Sequence, residues 1–173
     1  MSPGGELRDR SRSRRFAGSL TPARAILVLL GLAWLASACG APSPEELVRH
    51  RISEAEAAAE SGRVDLLAGM ISDRFRDPGG LGKAGVLTLL RARLDPRASI
   101  HLLTRVREIR GTEEGAVEAT LLVAAASVPI RDPGELPALD ADLLRFDLVF
   151  EEERGEWRLA RAAWRNAGPT DFL

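Results

Sequence analysis

The sequence predicts an α+β domain in which three helices precede a curved sheet of long antiparallel strands. Apolar residues recur at helical spacing up to Pro96 and alternate with polar residues after it. Turn-forming clusters punctuate the chain at Pro78-Gly79-Gly80, Thr112-Glu113-Glu114-Gly115 and Arg131-Asp132-Pro133-Gly134. Helices followed by a meander are the pattern of helices packed on one face of a sheet.

The first helix starts at Ser43-Pro44-Glu45-Glu46, which offers a capping hydroxyl, a proline in the first turn and two acids beside it. It runs to about Ser61-Gly62, with Val48, Ile52, Ala55 and Ala59 on one face. A short second helix places Val64, Leu67, Ala68 and Ile71 on one stripe. Residues 73–77 are an extended segment closed by the Pro78 turn. The third helix covers about 83–93, with Val86, Leu87, Leu90 and Leu94 inward. Strands follow at about 100–109 and from Val117, where Ala119, Leu121, Val123 and Ala125 alternate with Glu118 and Thr120. After a proline-bearing loop, Leu144, Phe146, Leu148 and Phe150 share one strand face. The last strand is 157–165.

The amino-terminal segment is of another kind. Residues 1–24 are polar and arginine-rich, and residues 25–38, AILVLLGLAWLASA, carry no charge. That is the layout of a secretory signal peptide, with an apolar run too short for a comfortable membrane-spanning helix. Leu35-Ala36-Ser37-Ala38-Cys39-Gly40 resembles the lipobox of bacterial lipoproteins, which implies cleavage before Cys39 and acylation of its thiol and amine. Two or three acyl chains anchor a protein stably where one does not. The expected division is therefore signal peptide 1–38, acylated cysteine and tether 39–43, domain 44–168 and a carboxy-terminal tail 169–173. The expected location is the cell envelope, anchored through Cys39. Gly40 after the cysteine, in place of aspartate, favours the outer membrane facing the periplasm over the inner one. The Arg14-Arg15 pair resembles a twin-arginine export signal, with the general secretory route as the favoured alternative.

Composition excludes several functions. Cys39 is the only cysteine of the 173 residues, so no internal disulfide and no cysteine-based zinc site exists. Six of the 24 basic and two of the 25 acidic residues lie in residues 1–38, which leaves the rest of the chain at a formal −5. Nucleic acid is not a partner for so acidic a domain. No glycine-rich loop opens a helix after a strand, and no nucleophile elbow is present. No cofactor is expected.

Three segments carry a family resemblance. Gly62-Arg63-Val64-Asp65-Leu66-Leu67 resembles a helix-joining turn, Asp73-Arg74-Phe75-Arg76-Asp77-Pro78 the segment leading into a third helix, and Gly155-Glu156-Trp157-Arg158-Leu159 with Trp164 a closing strand, all of the nuclear-transport-factor-2-like superfamily. Ketosteroid isomerase, scytalone dehydratase and the SnoaL-type polyketide cyclases are members. The resemblance implies a cone-shaped, cystatin-like domain enclosing a pocket. It also implies candidate catalytic residues: Asp77 as a general base and Asp142 as a hydrogen-bond donor to an oxyanion. The phenol that would complete that pair has no counterpart, since its place falls near Ala55 and the chain contains no tyrosine.

For each candidate a plainer role stands beside the chemical one. Asp77 before Pro78-Gly79 is also a turn former, and Asp142 a solvated residue at the start of a strand. His101, Arg145, Trp157 and Trp164 are candidate ligand contacts. Equally, His101 is a structural residue, Arg145 a cross-strand partner of Asp147, and the two tryptophans core or rim aromatics. Three functions follow. The favoured one is a non-catalytic envelope module that binds a small apolar ligand or an envelope protein. The second is an isomerase, dehydratase or cyclase using Asp77 and Asp142, which requires both carboxylates to open into one cavity. The third is a homodimeric scaffold pairing through an exposed sheet strip at Leu122, Ala124 and Ala126.

Overall fold

The computed structural model describes residues 41–94 and 99–173, and the domain is Pro42–Leu173. Helix α1 (Pro44–Glu60) begins with a reciprocal capping box. The Glu46 amide donates to the Ser43 hydroxyl at 3.2 Å, and the Ser43 amide donates to the Glu46 carboxylate at 2.9 Å. The helix closes at Gly62, whose φ of 65° suits glycine. There Arg63 N donates to Ala58 O (2.8 Å) and Gly62 N to Ala59 O (3.0 Å), the two bonds of a Schellman cap. Helix α2 (Val64–Met70) runs straight into strand β1 (Ile71–Arg76), and α3 (Lys83–Arg93) follows the Pro78 turn.

Four long strands complete the domain: β2 (His101–Gly111), β3 (Val117–Ala126), β4 (Asp142–Glu153) and β5 (Glu156–Asn166). The sheet order is β1-β5-β4-β3-β2. It is the α+β architecture that the periodicity predicts, with one addition. β1 pairs with β5 in parallel, so the sheet is antiparallel in every pairing but that one. Register shifts at Val106/Glu108 and Val149/Phe150 bend the long strands.

The three helices cover one face. Val48 and Ile52, one turn apart on α1, pack on Val117, Ala119, Leu121, Phe150 and Trp157. Leu87 of α3 packs on Ile71, Phe75 and Ala162, and Ala58, Leu67 and Leu94 join the three helices to one another. α1 also closes the β2 edge of the sheet. Its Glu45 and Glu60 carboxylates accept the outward amides of Gly111 (3.0 Å) and Leu102 (2.8 Å).

The opposite face is covered at one end, which corrects the expectation of an exposed strip. Leu122, Ala124 and Ala126 are buried, at 3%, 0% and 7% exposure, and are not an exposed strip. A 3-10 helix (Pro133–Ala138) lays Leu136 over Leu122 and Ala124, and a second (Pro169–Phe172) adds Phe172. Of the last five residues Phe172 joins the core, while Thr170, Asp171 and Leu173 stay exposed. Alternation told which side chains share a face; it did not tell that a loop and the chain end fold back across that face.

Candidate functional site

Asp77 sits where β1 gives way to the turn before α3. Leu81 N donates to its carboxylate at 2.6 Å, Gly80 N donates to its carbonyl at 3.1 Å, and its own amide donates to Leu81 O at 3.1 Å. The carboxylate is therefore occupied in holding the turn. Asp142 opens β4 opposite Ala125, with its side chain 73% exposed and 3.5 Å from Arg93 on α3. The two carboxylates engage different partners in different elements. Ala55, near the expected place of the missing phenol, packs among Ala58, Leu67 and Leu94.

The remaining candidates are spread over both faces of the sheet. His101 pairs with Ala126 on the face away from the helices. Arg145 lies on that face too, and its guanidinium donates to Asp147 at 3.1 and 3.2 Å while the Thr120 hydroxyl donates to Asp147 at 2.9 Å. Burial would raise the pKa of Asp147, but the bonds from Arg145 and Thr120 outweigh it and hold the carboxyl below its usual range. Trp157 is 7% exposed in the core under α1. Trp164, opposite Phe146 on the helix-side face, is 39% exposed. Cys39 lies outside the described residues.

Two concave sites do exist, and none of these candidates lines either of them. One is a cavity of about 300 Å³ bounded by Asp73, Arg74, Glu153, Arg154 and Arg158. The other is a groove of about 760 Å³ between α1 and α2, floored by Ala57, Ala58, Leu66, Gly69 and Met70 and rimmed by Arg51, Glu54, Ser61, Arg63, Glu156 and Arg158. Each rim arginine has an acidic neighbour: Arg51 has Glu54 (3.1 Å), Arg63 has Asp65 (2.8 Å) and Arg158 has Glu156 at one terminal nitrogen (2.8 Å). Arg63 holds Asp65 down to a pKa of about 2. The sequence gives no local sign of the groove, because Ala57 and Ala58 on the flank of α1 read as helix filler and Leu66, Gly69 and Met70 belong to another helix. Among the described residues no cluster of His, Cys, Asp or Glu could hold a metal ion, and no helix is long and apolar enough to cross a membrane.

No protein-family profile and no curated protein matches the sequence. Solved structures do match. A nuclear-transport-factor-2-like protein of unknown function in nutrient uptake from Rhodospirillum rubrum aligns with a TM-score of 0.53 at 20% identity, over 70% of this chain and 98% of that one. A provisional scytalone dehydratase from Novosphingobium aromaticivorans aligns with a TM-score of 0.55 at 12% identity, over 70% and 83%. The chain has the nuclear-transport-factor-2-like fold. An uncharacterised protein with a cystatin-like fold from Caulobacter vibrioides matches too, with a TM-score of 0.51 at 16% identity, over 72% and 89%. At such identities the likeness concerns the fold alone, because this fold hosts catalytic and non-catalytic proteins alike. Within this nuclear-transport-factor-2-like domain, the space under α1 is occupied by Val48, Ile52, Leu121 and Trp157.

Proposed function

We propose that this chain is a lipid-anchored envelope protein whose domain binds a small apolar ligand and does not convert it. The groove between α1 and α2 carries the reading. Its volume falls in the range of small-molecule sites, and Arg51 and Arg63 on its rim are paired with Glu54 and Asp65, so beside them the apolar floor is the surface left to cover. Leu66 stands 46% exposed there, an apolar side chain with surface still to bury.

Anchoring is supported by the run from Leu35 to Gly40, and periplasm-facing outer membrane is the location that Gly40 favours. The absence of conversion is supported by Asp77 and Asp142, which are committed to a turn and to Arg93. Titration with a fluorescent long-chain alcohol tests the site. Binding should be saturable in the wild type and weaken at least tenfold in Ala57→Trp, a substitution that fills the groove from an exposed helix position. Ala57→Trp binding as tightly as wild type would sink the reading, and probe displaced by an envelope protein but never by small apolar molecules would replace the ligand with that partner.

A further inference from the structure

The β4–β5 hairpin turns through Arg154 and Gly155, which both have positive φ, 56° and 83°. A two-residue hairpin turn of the primed type asks for that backbone at both positions and favours Asn, Asp or Gly at the first. Arginine takes it only under strain. The turn gains nothing from arginine, but the 300 Å³ cavity gains a guanidinium on its wall.

The other charges of that cavity are mostly spent. The Lys83 ammonium donates to Asp73 at 2.8 Å. Glu153 accepts from the Ser72 hydroxyl at 2.7 Å and from Arg74 at 3.0 Å. Two donors are left over. Arg154 forms no ion pair among the described residues. Arg158 donates through one terminal nitrogen to Glu156, yet its Nε is buried and is the only such side-chain polar atom without a partner among the described residues. A guanidinium carries five N–H donors, and an oxyanion is the group that its accessible fork satisfies best.

We propose that this cavity binds the oxyanion of a small soluble ligand, a phosphate or carboxylate group, between Arg154 and Arg158. Asp73 and Glu153 would repel an anion were they not neutralised by Lys83 and Arg74. Arg158 acts through space on both carboxylates and Arg154 on Asp73, and an arriving anion draws on the same positive field. Arg158 borders the apolar groove as well, but the two sites take opposite chemistries and their tests fail separately.

Amide chemical shifts of the full-length protein, titrated with inorganic phosphate and separately with succinate, test the proposal against sodium chloride at matched ionic strength. Saturable shifts at Asp73, Arg154 and Gly155 are expected from at least one oxyanion and not from chloride. The oxyanion that responds tells whether a tetrahedral or a planar group is preferred. Arg154→Gly should weaken that binding about tenfold while melting at or above the wild-type temperature in anion-free buffer, since glycine relieves the turn. Arg158→Lys keeps the charge but replaces the planar fork with a point charge, and should weaken binding about threefold or more. No saturable response from either oxyanion in the wild type, or wild-type affinity in both variants, would overturn the proposal.

Discussion

Ser72 has no exposed surface, yet it is polar, and the reason lies across the sheet. Its hydroxyl donates to Glu153 at 2.7 Å and accepts the Arg74 amide at 3.0 Å. A hydrogen bond to a charged carboxylate is among the stronger ones, so Ser72→Ala should cost about 2 kcal/mol in urea unfolding. The Ser72 hydroxyl and then Arg74 hold Glu153 below the usual carboxylate range. A folded pKa lowered in this way contributes stability that is fully present above the ordinary value of 4.5 and is lost as pH falls through the lower folded one. Glu153→Gln should therefore flatten the acid limb of the stability curve below about pH 4.5, and an unchanged limb would show that other carboxylates set it. Residue-scale roles were only partly legible. The turn-forming reading of Asp77 and the Asp147 pairing of Arg145 are visible in a dipeptide and a strand alternation. Ser72 to Glu153 is not, because 81 residues separate them and nothing local marks either.

Elements were read more surely than their partners. A change of period at Pro96 and a cluster of turn residues are local signals, so helix and strand limits fall within a few residues of those expected. Two features depend on contacts distant in sequence and left no local mark. One is the parallel pairing of β1 with β5, set by where the crossover lands. The other is the cover over Leu122 and Ala124, contributed by Leu136 and Phe172. Phe172 is fully buried, so Phe172→Ala should cost about 3 to 5 kcal/mol. Deletion of residues 169–173 should uncover the strip and produce self-association that grows with protein concentration in light scattering, whereas a monodisperse truncation would mean the second 3-10 helix covers little.

At the scale of the whole molecule, the anchor and the domain make separable claims. Cys39→Ser should move the protein from the membrane fraction to the soluble one and leave its melting temperature unchanged. Lower thermal stability in that variant would contradict the proposed division of labour between anchor and domain. The architecture was legible because it follows from periodicity, while the site was not. A groove forms from the flanks of two helices, and a charged cavity from a hairpin, a strand and a turn, none of which spells its neighbours. β3 shows what such an arrangement implies for the time domain. Its first half is buried toward the helices at Val117, Ala119 and Leu121, and its second half toward the other face at Leu122, Ala124 and Ala126. A slip of one residue would turn both halves out of their cores at once, so register exchange has no low-energy intermediate. The amides of β3 should then exchange with deuterium only when the entire domain opens, and exchange slowest of any strand.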